Sequence, residues 1–257
     1  MDLLIQHVRL NGKPRDVLIQ NGRFSQIAPR IDPEALSRTV QKLDGDGLAL
    51  LPSFANVHCH TAMVLMRGLG DGTPLHEWLN DIIWPMERRL TGDHIYWGTL
   101  FGCLEMIRSG ITAVCDMYWQ TAESMRAFYE SGLRVNFSHP NIIPPGPDAL
   151  DGLRRDLEAH LELAQSYPAR VELSVGIHAL YSTSADMRAI CRDFAAEHHL
   201  LLQTHISETR REHDECLKTT GKTPAELFDA EGLLNGRFLG AHGVWLTDSD
   251  RRLLVER

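Results

Sequence analysis

VELSVGIHALYSTSADMRAICRDFAAEHHLLLQTHIS, residues 171–207, reads as a strand, a helix and a second strand. Its two ends, VELSVGIHAL (171–180) and LLLQTHIS (200–207), are near-continuous apolar runs, the pattern of strands covered on both faces. Between them Ser184 stands as an N-cap before ADMRAICRDFAAEHH, whose composition and length suit a helix. Strands joined through a helix run parallel. The unit extends both ways: LPSFANVHCH (51–60), ITAVCDMY (111–118), LRVNFSH (133–139) and FLGAHGVWL (238–246) are four more strand candidates. Further helices start at Thr91, ahead of DHIYWGTLFGCLEMIRS with Gly110 behind it, and at Thr223-Pro224, ahead of AELFDAEG. Six such strands alternating with helices imply an α/β fold, either a doubly wound sheet or a (β/α)8 barrel, and periodicity does not choose between them. No Gly-rich GxGxxG turn follows a strand, which removes the usual dinucleotide-binding signal.

Residues 1–50 read differently. LLIQHVRL, DVLIQ and RFSQIA are short strands separated by Asn11-Gly12 and Asn21-Gly22, the strongest short-range hairpin signals. A small β-region over 1–50 therefore precedes an α/β region over 51–257, with the turn-rich LDGDG at 43–47 near the boundary.

The chain has 257 residues, 43% of them hydrophobic and 23% charged, enough for a large core. A formal charge of −8 without basic runs excludes an electrostatic footprint for nucleic acid or anionic membrane, so a small molecule is the expected partner. Charged residues interrupt 1–20, and no apolar run is long enough to span a membrane. Five scattered cysteines without a CxxC pair argue against a disulfide framework or thiolate zinc site, and a cytoplasmic location is expected.

His58 and His60 stand two apart in a strand candidate, so their side chains share one face with Cys59 turned away. Alone, such a pair reads equally as solvent-facing histidines. His178, His205 and His242, however, each fall near the C-terminal end of another strand candidate. In a barrel those ends converge on one mouth. His58, His60 and His205 together would make a nitrogen-rich site suited to zinc or ferrous iron.

These residues sit in segments that resemble the amidohydrolase superfamily, in particular its 5′-methylthioadenosine/S-adenosylhomocysteine deaminases, with triazine hydrolases and cytosine or guanine deaminases as relatives. The resemblance spans essentially the whole chain and is carried by LPSFANVHCHTAMVLMRGL (51–69), LHEWLNDIIWPMERRLT (75–91), GTLFGCLEMIRSGITAVCDMY (98–118), GIHALYSTS (176–184), QTHISET (203–209) and GAHGVWL (240–246), in matching order. It implies a (β/α)8 barrel of the TIM type holding one divalent metal, zinc first and iron second, beside a β-sandwich to which 1–50 contribute. It implies His58, His60 and His205 as metal ligands, Glu208 as the carboxylate that shuttles protons, and His242 as the histidine beside the activated water. It further implies His178 against the substrate ring and Glu87 on ribose hydroxyls.

The implied reaction is hydrolytic release of ammonia from an adenosine-type nucleoside: 5′-methylthioadenosine, S-adenosylhomocysteine or 5′-deoxyadenosine. A metal on neutral imidazoles brings the pKa of its water to about 7, and a carboxylate three residues past His205 can reach the same mouth. The competing reading of Glu208 is a solvated loop residue beside Arg210 and Arg211. Trp78 and Trp84 read either as pocket walls or as a cap on the core. Glu105 and Asp116 read as structural, Glu105 pairing with Arg108 at i,i+3. An amidohydrolase for another heterocycle such as guanine, a pterin or a triazine is the alternative function. Homo-oligomers are common among such relatives.

Two departures qualify the match. Six strands are found where the family has eight, and nothing matches the metal-binding aspartate after its last strand, so the expectation is a C-terminally truncated chain that is catalytically poor by itself. The region SHPNIIPPGPDALDGLRRDL offers Arg154 and Arg155 for a substrate carboxylate, but outside any matching motif.

Overall fold

The computed structural model describes residues 2–36, 39–142, 150 and 152–257. Contacts divide the chain into two compact units, Met1–Ser53 and Phe54–Arg257.

The first unit holds one four-stranded sheet in the order β3-β2-β1-β4, with β1 Leu3–Leu10, β2 Lys13–Gln20, β3 Arg23–Ala28 and β4 Gln41–Asp44. Both hairpin turns have φ near +50° at the asparagine and near +75° at the glycine, the type I′ geometry whose twist matches the flanking strands. β4 pairs parallel with β1 and was hidden in the sequence, because its four residues run straight into the LDGDG turn. The buried carboxylate of Asp16 accepts the backbone N–H groups of His7 (2.9 Å) and Ile31 (2.8 Å), satisfying donors at a bulge in β1 and at the loop beyond β3.

In the second unit all six expected strands are present and all pair parallel. They are β5 Phe54–Cys59, β6 Ile111–Met117, β7 Arg134–Ser138, the split pair β8 Val171–Leu173 and β9 Val175–Ile177, β10 Leu202–Ile206 and β11 Phe238–His242. Pairings run β5-β6-β7-β8 and β9-β10-β11. The single stretch 171–177 changes partner at Ser174, whose N–H donates to the Phe137 carbonyl at 2.8 Å while the Val175 N–H turns to Leu201 at 2.8 Å. The strands therefore lie side by side in chain order, whereas a doubly wound sheet reverses order at a switch point. No reversal occurs among the described residues.

Gly176 makes the partner change possible, since a Cβ there would lie 2.1 Å from the His139 carbonyl oxygen. The helices α1 Gly92–Arg108, α2 Thr121–Ser131, α3 Leu153–Gln165, α4 Ala185–Glu197, α5 Arg210–Thr220, α6 Pro224–Ala230 and α7 Asp248–Glu256 fall in the connections between strands or follow the last of them. Two apolar clusters form beneath them. Met125 and Phe128 of α2 pack with Phe137 and Val135, and Met187 and Phe194 of α4 pack with Ile177, Leu202 and Phe228. The expected caps form: the Ser184 hydroxyl accepts Met187 N–H at 3.2 Å, and Thr223 and Glu226 make a reciprocal capping box. No helix among the described residues is long and apolar enough to cross a membrane.

Candidate metal and catalytic site

The histidines singled out by position meet at the C-terminal ends of the parallel strands. His58 is the penultimate residue of β5 and His60 lies just past the strand on the same side, with ring centroids 5.0 Å apart. His205, from β10, is 4.9 Å from His58, 5.3 Å from His60 and 4.9 Å from His178. His242, the last residue of β11, stands 5.1 Å from His58 and 5.2 Å from His205.

Hydrogen bonds fix which nitrogens face inward. His60 Nδ1 meets the Met117 carbonyl at 2.6 Å, and His205 Nδ1 meets the His178 carbonyl at 2.6 Å. A carbonyl only accepts, so each Nδ1 carries a proton, and in the neutral ring it is then Nε2 that keeps the lone pair. Those two Nε2 atoms face each other at 3.3 Å, a contact that no proton bridges in these tautomers and that a cation would relieve. The separation matches the edge of a tetrahedron with Zn–N bonds of about 2.0–2.1 Å, an edge of about 3.3 Å. Ligand atoms of His58, His205 and His242 also lie within 4.8 Å of one another.

Burial reinforces this state. It pushes His58 down to about 4, His178 to about 3 and His205 to about 2. Neutral imidazoles are what metal binding requires. The donor set fits one divalent cation, although the trio whose ligand atoms all lie within 4.8 Å of one another is His58, His205 and His242, with the expected ligand His60 joining through its 3.3 Å contact to His205.

Asp116, read from sequence as structural, anchors the segment that carries His60. It is 1% exposed, and its Oδ1 accepts Thr61 N–H at 2.7 Å, Thr61 hydroxyl at 2.6 Å and Cys59 thiol at 3.3 Å. Glu105 is not paired with Arg108 as expected; it binds Arg67, from the segment packed against α1, at 2.6 Å.

Glu208 follows β10 in a turn where Ser207 has φ +49°. Its Oε1 lies 3.5 Å from His242 Nε2. Burial first, and the neighbouring Glu212 carboxylate second, push Glu208 up to about 7, where a carboxyl both takes and gives a proton at neutral pH. Glu208 is not a solvated loop residue paired with Arg210 and Arg211: its side chain is 20% exposed, and the two arginines bind Asp214 and Glu215 one turn along α5.

A cavity of about 280 Å³ opens onto the histidines and is lined also by Glu87, Trp78, Trp84, Trp119, Tyr181 and Glu208. Trp78 and Trp84 come from a helix over 75–87 with a π segment at Trp78–Ile83. Pro85 lacks the N–H that a regular helix needs there, which favours the wider register. Glu87 ends this helix and accepts the Trp119 indole N–H at 3.0 Å; burial raises its pKa. His178 Nδ1 is 2.8 Å from the Ser182 hydroxyl. A second cavity of about 450 Å³ shares Trp84, Glu87, Trp119 and Ile142 with the first. Of the candidates for a substrate carboxylate, Arg154 is engaged with Glu197 at 2.6 Å, and the preceding 143–149 lie outside the described residues.

Seven expected site residues thus line one cavity. Sequence reasoning did not reach Trp119, Tyr181 or the two carbonyls holding His60 and His205, since a backbone acceptor leaves no residue-type signal. Thr209-x-x-Glu212, a capping-box spacing, was the legible trace of Glu212.

Comparison with known proteins agrees with this architecture. A 5′-deoxyadenosine deaminase of Methanospirillum hungatei is 41% identical over 219 residues, 84% of this chain and 48% of that protein. A 5-methylthioadenosine/S-adenosylhomocysteine deaminase of Thermococcus sibiricus is 37% identical over 248 residues, covering 94% of this chain and 56% of that protein. The chain spans about half the length of the curated relatives it matches. Among solved structures, a zinc-bound adenosine deaminase of Xanthomonas campestris superposes with TM-score 0.86 at 24% identity, over 100% of this chain and 60% of that one, a likeness of fold. The amidohydrolase family model matches residues 49–257, and the chain belongs to that family.

Proposed function

We propose that this chain carries the metal-binding and proton-transfer residues of a hydrolytic deaminase acting on adenosine-type nucleosides such as 5′-deoxyadenosine or 5′-methylthioadenosine. The observation that carries the reading is the opposed Nε2 pair of His60 and His205 at 3.3 Å, with a carboxyl poised near 7 on the same cavity. Relatives named for these substrates at 41% and 37% identity support the substrate class. The proposal extends to architecture: the parallel strands form an arc of a (β/α)8 barrel, and residues 1–50 are part of a β-sandwich.

His58, His60 and His205 hold the cation, with zinc suited to an all-imidazole set, and His242 stands beside it through its contact with Glu208. When bound, the cation supplies Lewis acidity that makes water nucleophilic at neutral pH. Glu208 accepts a proton from the attacking water as the C–O bond forms at the amino-bearing ring carbon. Glu208 then delivers that proton to the adjacent ring nitrogen, which takes up the electron pair of the broken C=N π bond. On collapse, the C–N bond to the amino group breaks and Glu208 relays the second water proton to the departing ammonia. His242 donates a hydrogen bond towards the developing charge, which helps because strand β11 fixes it beforehand. His178 contacts the purine, and Glu87 accepts ribose hydroxyls. The second cavity, beyond Glu87, leaves room for a 5′ substituent.

The test is ammonia release from 5′-deoxyadenosine and 5′-methylthioadenosine by the zinc-loaded chain. The expected result is slow but measurable turnover, reduced about 100-fold or more in Glu208→Gln, in line with loss of a general acid–base. A zinc-loaded protein that releases no ammonia from any adenosine analogue overturns the assignment for this chain.

A further inference from the structure

Behind Glu208 lies a second carboxylate that the reaction above does not use. Glu212, in the first turn of α5, is 3% exposed, an unusual location for an acidic side chain. Its Oε2 accepts the backbone N–H of Glu208 at 2.9 Å, the neighbouring N–H groups of Ser207 and Thr209 favour its charged form against burial, and its Oε1 is buried without a partner. The carboxylate thus grips the turn at Glu208 and faces a run of backbone N–H groups, although burial raises its pKa. The turn needs such an anchor, because Ser207 sits at φ +49°, a conformation that costs a non-glycine residue energy unless its surroundings enforce it.

The same turn is tied sideways. The Ile206 carbonyl accepts Gly243 N–H at 2.9 Å and the Ser207 carbonyl accepts Trp245 N–H at 2.8 Å, so the loop carrying Glu208 and the one carrying His242 are laced together. Ordinary helix capping accounts for only part of this, since the Thr209 hydroxyl already caps Glu212 N–H at 3.1 Å.

We propose that Glu212 is the positioning residue for Glu208, fixing the 207–209 backbone so that the Glu208 carboxyl stays beside His242 and the metal-binding histidines. Resting as it does on the deaminase reading, the role predicts a split between steps. Glu212→Ala should lose about 100-fold in kcat through misplacement of the proton carrier, with KM within about threefold and zinc content unchanged. Its amide hydrogen exchange should quicken by about tenfold or more at 207–209, where the bond from the Glu208 N–H to the carboxylate is lost. Glu212→Gln keeps an acceptor oxygen in place and should restore both exchange protection and most of kcat. Thr209→Ala should loosen the first turn of α5 while leaving kcat near wild type.

Unchanged exchange at 207–209 in Glu212→Ala, or an equal kcat loss in Thr209→Ala, overturns the proposal. If Glu212→Ala does not fold, Glu212→Asp, one methylene too short to reach the Glu208 N–H, takes its place with the same expected results. In the wild type itself, exchange at 207–209 as fast as in an unstructured peptide overturns it without any variant. Because exchange is read without substrate, a wild type that deaminates nothing sinks the functional assignment while leaving the positioning role still decided by the exchange data.

Discussion

Two lone pairs held 3.3 Å apart by protonated Nδ1 atoms are the residue-scale fact on which the metal reading turns. What holds them is mostly outside the histidines: the Met117 and His178 carbonyls set the tautomers, and Asp116 ties down Cys59 and Thr61 on either side of His60. Outer partners of metal ligands commonly contribute 10–100-fold in affinity. Asp116→Ala is therefore expected to weaken zinc binding by about 10–100-fold in a competition titration. It also leaves three donors facing a void, which should destabilise the fold by about 2–4 kcal/mol in denaturant titration. Zinc affinity equal to wild type would show that His60 needs no such support. The histidines themselves were legible because imidazole is a distinctive side chain and a period of two puts His58 and His60 on one face. Asp116 was visible only as a carboxylate in a strand, with no spacing to betray that its partners lie 55 and 57 residues upstream.

At the scale of elements, the strand pattern could be read from apolar runs, yet the exchange of partners within 171–177 could not. It depends on Gly176 letting β9 pass the turn after β7, where Asn141 also reaches across to the Gly176 carbonyl at 2.9 Å. Gly176→Ala places a methyl group inside the His139 carbonyl, so β9 or that turn must move. Overpacking of this kind costs about 1–3 kcal/mol, and the upper end is expected because the obstacle is backbone. Gly236→Ala is the control: nothing lies within 4 Å of the added carbon, and the change should stay within about 0.5 kcal/mol. Comparable urea midpoints for the two variants would refute the close approach. The helix over 75–87 was also opaque to periodicity, since its π segment breaks the repeat that such reasoning depends on.

Over the whole molecule, several histidines are held neutral by burial, and this couples stability to pH. His139 is the cleanest case because it is remote in sequence from the proposed metal ligands. Burial pushes it down to about 4 from an ordinary value near 6.5, and it packs against Trp119 and His160, with Asn141 bonded to its Nδ1. Between those two pH values the unfolded chain binds a proton that the folded chain refuses. Stability therefore rises with pH through that window and is lost as pH falls from about 6.5 towards 4, by at most about 3 kcal/mol for this residue. His58, His178 and His205 act in the same direction, and zinc adds to the slope because protons compete with it for the same nitrogens. The expected outcome is a melting temperature that falls steadily from pH 7 to pH 5 in chelator-treated protein. Excess zinc should raise it most near pH 7 and progressively less in acid, following the concentration dependence of a ligand that binds only the folded state. In His139→Phe the chelator-treated protein should show a shallower pH slope, one fewer proton being taken up on unfolding. An unchanged slope would mean that His139 titrates alike in the folded and unfolded chains.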